Sequence, residues 1–300
     1  MKQISQIAAT AAALLIFAGC GNSGKKTEPV TYDGETSFVP NTVNATTDTV
    51  LSVDSTEYRV INIRRFNALK TENGNNDFSI SMNIDIPAGN ERIAGEIASY
   101  VCEVMDAFRK TGEDSPIFLG IDSVAPRTTD EVVALCDSSV NRFVNVIAPQ
   151  AISESVVGTT VNITITPVFI NDSYITYAMY SSSFLGGAHA EEDFFLQTYD
   201  AVSGIPVNFY SLVPADRQET VRKELIETIA ATKGLAVGSY LASVNQWAGM
   251  SGEEDWTVKN FPIYHIGLTG QGYVFCYPKY TIAPGSEGVG VYVVPAEGEK

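Results

Sequence analysis

Between Ser79 and Ile86 every second side chain is apolar: Ile80, Met82, Ile84 and Ile86 alternate with Ser79, Ser81, Asn83 and Asp85. A period of two places the apolar set on one face of an extended chain, so this segment predicts a strand in a sheet buried on one side. The period then changes. Ile93, Ile97, Val101, Val104 and Phe108 recur at spacings of four and three behind Asn90, a helix with its N-cap. Thr128 and Glu131 have capping-box spacing ahead of Val132, Cys136, Val140, Phe143 and Ile147, which share one face of a second helix.

Period two returns in Gly158–Ile170 through Val161, Ile163 and Ile165. Asn171-Asp172 then turns the chain into Tyr174–Phe184, a hairpin. Glu57–Leu69 is strand-like, and another strand runs over Phe194–Tyr199, which Ser203-Gly204 turns back through Ile205–Asn208. Pro214–Thr232 predicts a third helix and Leu235–Met250 a fourth, weakened by Gly238. Strands near 263–268, 273–277 and 289–294 complete the chain. Strands and helices come in blocks instead of strict βαβ alternation. The expected fold is α+β, with mainly antiparallel sheets and three to four helices packed on them.

The N-terminus has its own logic. Lys2 precedes an apolar, Ala-rich run from Ile7 to Ala18, closed by Gly19-Cys20. This is the layout of a signal peptide, and the run is shorter than the roughly 20 residues of a bilayer span. Small residues leading directly into cysteine resemble a bacterial lipobox, so 1–19 is expected to be a lipoprotein signal peptide and Cys20 the lipidation site. Residues 20–50, rich in Thr, Asn, Ser, Gly and Asp, are expected to form a tether, and 51–300 the folded domain. The expected location is the cell envelope, anchored to the membrane through Cys20. No run of acids follows Cys20, which favours a periplasm-facing anchor.

The whole chain carries 19 basic and 35 acidic residues, a net of −16; without residues 1–19, which include Lys2, the balance is 18 against 35, or −17. Such a charge argues against nucleic acid and suits cationic partners, or solubility alone. Besides Cys20 there are three cysteines; Cys102 and Cys136 fall on consecutive predicted helices, either bridged or buried as thiols. No zinc spacing, GxSxG, HExxH, Walker loop or GxGxxG occurs. No metal, cofactor or catalytic residue is assigned.

The densest polar constellation is Phe184–Asp193, with Gly186-Gly187 and then His189, Glu191, Glu192 and Asp193 between two predicted strands. Extended geometry puts His189, Glu191 and Asp193 on one face and Glu192 on the other. Three readings stand: a strand-to-strand turn, a recognition loop, or a metal or acid/base site.

Tyr180–Phe184 into Gly186-Gly187-Ala188-His189, then Tyr199–Gly204 leading to Phe209–Val213, resembles an RsiV/PdaC-like family of extracytoplasmic domains. Tyr277-Pro278-Lys279-Tyr280-Thr281-Ile282-Ala283-Pro284-Gly285 and Val293-Val294-Pro295 are similar to its C-terminal signature. The likeness is strongest over 157–295. Ala190 departs from the usual Gly, Gly285 stands where Tyr is typical, and Ala296 replaces an aromatic. Members sense lysozyme or accompany peptidoglycan deacetylases, so the resemblance implies a binding module for a lysozyme-like muramidase or peptidoglycan. Candidate contacts are Gly186, Gly187, His189, Glu191, Asp193, Tyr280 and Pro284, because both segments are Gly-punctuated loops with polar groups. The alternatives are a cell-wall glycan hydrolase using His189 with nearby carboxylates, and a structural lipoprotein.

Overall fold

The computed structural model describes residues 40–53, 56–69, 78–106, 108, 125–153, 158–184 and 190–296. Strands β1 (Pro40–Val53), β2 (Thr56–Leu69) and β3 (Phe78–Pro87) form an antiparallel meander. Helices α1 (Glu91–Asp106), α2 (Thr129–Arg142) and α3 (Ala148–Ser153) follow, with a π-helical turn at Phe143–Ile147 before α3. Strand β4 (Thr159–Ile170) then pairs parallel to β3, the one pairing that needs a long crossover. Strands β5 (Tyr174–Phe184) and β6 (Glu191–Asp200) close an otherwise antiparallel sheet in the order β1-β2-β3-β4-β5-β6.

Both helix starts follow their caps. Asn90 Oδ1 accepts the Ile93 N–H at 3.2 Å, and Thr128 and Glu131 form the reciprocal box, with the Thr128 N–H donating to Glu131 at 2.7 Å. The apolar stripes of α1 and α2 cover the face carrying Ile80, Met82, Ile84, Val161, Ile163 and Ile165. Arg65 reaches from that face to Asp137 of α2 at 2.5 Å and to the Ala45 carbonyl at 2.8 Å, tying β1, β2 and α2 together. Cys102 and Cys136 lie in this core as free thiols, pushed up by burial to about 11 and about 12.

The other face of β3 and β4 is polar: Asp85 accepts from Arg64 at 2.8 Å and from Thr166 at 2.9 Å. Over β5 and β6 it turns apolar, and a second sheet packs there through Ala178, Leu196, Val274 and Cys276. That sheet comprises β7 (His265–Thr269), β8 (Gly272–Tyr277) and β9 (Gly290–Val294) in sequential antiparallel order. Gly267 sits where a Cβ would collide with Leu196, so glycine lets the two sheets approach. Thr198 Oγ1 joins them, accepting the Leu268 N–H at 2.8 Å while bonding Thr176 Oγ1 at 2.8 Å.

Helices α4 (Phe209–Leu212), α5 (Gln218–Thr232) and α6 (Val237–Ala248) build a second core around Val221, Leu225, Phe261, Phe275 and Tyr277. Asn208 caps α4, and Gly249, at φ 70°, ends α6. The α+β class and mainly antiparallel sheets agree with the sequence reading.

Three points differ in detail. Residues 40–50, assigned to the tether, belong to β1; Asn44, Thr46, Thr47, Asp48, Thr49 and Val50 are all exposed, so these positions carry no hydrophobic alternation to read. Ile205–Asn208 forms no full strand but a single bridge, Tyr199 to Pro206, flanked by bonds of 2.9 Å from the Asp200 N–H to the Ile205 carbonyl and from the Val207 N–H to the Thr198 carbonyl; the Ile205 N–H turns to Ser203 Oγ and the Val207 carbonyl to Gln197 Nε2, each at 3.3 Å. The third helix begins at Gln218, after a turn at 215–217, instead of Pro214. The signal segment and Cys20 lie outside the described residues. Among the described residues no helix is long and apolar enough to cross a membrane.

Candidate functional site

Of the first candidate segment, Gly186, Gly187 and His189 lie outside the described residues; its flank from Ala190 onward is the start of β6. Glu191 pairs with Ser183 and is exposed. Asp193 pairs with Ser181 and meets α1, where the Tyr100 hydroxyl donates to Ser181 Oγ at 3.0 Å. Burial raises the Asp193 carboxyl above its ordinary range, opposed by the backbone N–H of Phe194 and by the Tyr100 hydroxyl. Glu192, one residue earlier, faces the other way and pairs with Lys279 at 3.6 Å. The alternation expected for Glu192 and Asp193 is thus present.

Lys279 Nζ also donates to the Ala190 carbonyl at 3.5 Å. This residue joins the two candidate segments, since the next position is Tyr280. Its stem is largely buried and its ammonium reaches across the gap between β8 and β6. Lys279 thus links the start of β6 to the loop after β8.

Tyr280 has φ 65°, and among the described residues it is the one non-glycine with positive φ. A bulky residue held there costs about 1–2 kcal/mol, which the surrounding structure must offset. The brace is Gly285: a Cβ on it would fall within the Tyr280 ring. Glycine at 285 leaves the room that the ring occupies. The ring is seated but 71% exposed.

Pro284 is exposed and opens a 3-10 turn at Gly285–Glu287, with its carbonyl accepting the Glu287 N–H at 3.0 Å. Glu287 pairs with Lys233, the residue that caps the C-terminus of α5, and Thr281 Oγ1 donates to the Pro278 carbonyl at 2.6 Å. These bonds fix the loop at both ends. Behind it is a cavity of about 30 Å³, lined by Tyr277, Ile282, Glu287 and Tyr292, room for a single water.

The structure adds residues that the sequence did not single out. Nothing in the residues around Lys279 marks it as a lysine that bridges 89 positions. His265 stacks on Phe195, centroids 4.4 Å apart, and Phe195 meets Tyr100 edge-on at 5.2 Å. Burial lowers the imidazole pKa below its ordinary value, against a raising contribution from Glu103. A larger cavity of about 290 Å³ lies where the α1 and α2 N-termini adjoin, between Asn90, Glu91, Arg127 and Asp130. The caps were legible, but not their convergence, which the Arg127 N–H to Glu91 carbonyl bond of 2.8 Å fixes. Among the described residues no group of three or more His, Cys, Asp and Glu side chains is arranged to hold a metal.

No family model matches the chain, and no curated protein matches it. Among solved structures, it is similar to a DUF3298 family member from Bacteroides fragilis NCTC 9343, at 12% identity and TM-score 0.48, over 87% of this chain and 91% of that one. A DUF3298 family protein from Pseudomonas aeruginosa PAO1 matches at 13% identity and TM-score 0.44, over 86% and 91%. The solved structures that this chain resembles thus include proteins of the DUF3298 family.

Proposed function

We propose that this chain is a lipid-anchored envelope binding module whose recognition surface centres on Tyr280 and the start of β6, and whose partner is a cationic, lysozyme-like muramidase. The observation that carries this reading is the seating of Tyr280: an exposed ring on strained backbone, braced by Gly285 and coupled through Lys279 to Ala190 and Glu192. A large aromatic held in place before contact loses little entropy on binding, which is why tyrosine is common at interface hot spots. Glu191 and Pro284 are exposed on the same two segments. The net charge of −16 favours encounter with a cationic protein. Anchoring through Cys20 places the module at the envelope, where such an enzyme acts.

The test is calorimetric titration of residues 21–300 with a c-type lysozyme at two salt concentrations, with lytic activity read in parallel. Saturable binding that weakens with salt, and that falls about 30-fold or more in Tyr280→Ala, is expected, corresponding to a hot spot of about 2 kcal/mol. No heat at high concentration removes the muramidase from the reading. Binding to purified peptidoglycan in its place, with the same loss in Tyr280→Ala, would reassign the partner to the glycan.

A further inference from the structure

Strand β1 is an edge. It pairs with β2 along all fourteen residues, from Pro40–Leu69 to Val53–Thr56, with no break in register, and among the described residues no strand pairs its other side. Alternate residues of an antiparallel strand direct N–H and C=O away from the partner, so about half of β1 presents open backbone groups. Natural edges are blunted by lysine, internal proline, bulges or covering segments. None of the first three is present here: Pro40 is the first residue, where proline is tolerated, and the strand carries no Lys or Arg.

The chemistry of the strip selects an occupant. A foreign peptide adding to a sheet is chosen by pockets for its alternate side chains. Here Asn44, Thr46, Thr47, Asp48, Thr49 and Val50 are exposed along both faces of β1, leaving no pocket wall. The charge pattern points elsewhere. Two chains of net −16 repel over most of their surfaces, but β1 holds one charge in fourteen residues, Asp48, and Arg59 of β2 neutralises it through a pair of bonds from Nε at 2.8 Å. A neutral, threonine-rich edge is where two copies can meet. Antiparallel pairing about a twofold centred on Thr46 sets Thr46 opposite Thr46, Ala45 opposite Thr47, Asn44 opposite Asp48 and Val43 opposite Thr49, which keeps the two Asp48 carboxylates off one another and gives pairs that hydrogen-bond or pack across strands.

We propose that β1 is a self-association edge: two copies pair β1 against β1 across a twofold axis and continue the six-stranded sheet into one of twelve. The contact leaves Tyr280 and β6 at the two far ends, so each copy keeps its recognition surface free. Such an interface consists mainly of backbone hydrogen bonds and buries little apolar area. It is therefore weak and strengthened by salt, which screens the repulsion between two acidic chains.

Light-scattering mass across a concentration series up to about 100 µM, on the full chain in low and high salt, tests this. The expected result is a rise from 32.3 kDa towards twice that value, enhanced by salt, and its loss in Thr46→Lys/Thr47→Lys at unchanged far-UV circular dichroism. The lysines make the net charge less negative, so loss of the dimer cannot come from added repulsion between whole chains. If that variant loses its fold, Thr49→Lys carries the same test. A wild-type mass fixed at 32.3 kDa throughout, or a dimer that survives the lysines, overturns the proposal.

Discussion

Replacing Thr198 by valine tests how the second sheet is held on the first. Thr198 is fully buried on β6, and its Oγ1 meets the Leu268 N–H of β7 and the Thr176 hydroxyl of β5, each at 2.8 Å. Valine has nearly the same shape, so no cavity opens and the change isolates the two hydrogen bonds. The Leu268 N–H and the Thr176 hydroxyl each lose a partner; Thr176 is itself fully buried. An orphaned group costs about 1–3 kcal/mol, together about 2–6. The added methyl returns at most about 0.8 kcal/mol, leaving a destabilisation of about 1–5 kcal/mol. The sign of a second comparison is sharper. In Thr176→Val/Thr198→Val the orphaned hydroxyl is gone and only the Leu268 N–H lacks a partner. The double variant should then cost less than the sum of the two single ones. Urea denaturation followed by tryptophan fluorescence is a suitable assay, since Trp256 packs against the second core and Trp247 lies on α6. A Thr198→Val variant within about 0.5 kcal/mol of wild type, or a double variant costing at least the sum of the singles, would refute the reasoning.

Lys279→Met keeps the buried stem but removes the ammonium bonded to Ala190 and Glu192; lysozyme binding should weaken about 3- to 10-fold by calorimetry, with thermal stability changed by less than about 1 kcal/mol. Asp137→Ala leaves buried Arg65 without its carboxylate and should cost about 1.5–3 kcal/mol in urea denaturation. The His265 pKa is lowered in the fold by burial, so its contribution is complete above the unfolded value of about 6.5 and is lost as pH falls through the lower folded value. Asp193 and Glu96 have raised carboxyl pKa values and act with the opposite sign, gaining as pH falls towards the ordinary carboxylate range. Comparing wild type with His265→Phe, which keeps a ring on Phe195, cancels those carboxylates. Thermal melts between pH 7.5 and pH 5 should show the wild type losing more stability than the variant; parallel curves would count against the assignment.

Where a segment packs against one apolar face, its sequence announced it. Ile80–Ile86, the stripe of α1 and the Thr128–Glu131 box all depend on residues within a few positions of one another, and they appear as read except that α1 ends at Asp106, leaving Phe108 in the turn beyond it, still packed on the core. The hairpin at Asn171-Asp172 is equally local: Asn171 Oδ1 accepts the N–H groups of Ser173 and Tyr174 at 2.9 and 2.7 Å. Strand β1 was invisible for the complementary reason. From Thr46 to Val50 its side chains are exposed whichever face they lie on, so that stretch imposes no apolar period; Leu51, half-buried, packs against the core.

The site divides along the same line. Composition, the Gly-punctuated segments and the opposed faces of Glu192 and Asp193 follow from the chain itself, because glycine permissiveness and strand alternation are properties of neighbouring residues. That Lys279 spans from β8 to β6, that Gly285 receives the Tyr280 ring, and that Gly267 and Thr198 let one sheet dock on another were decided by tertiary structure alone. Each joins elements distant in sequence or depends on a loop path, and a single sequence records the residue types at such contacts without recording which of them meet.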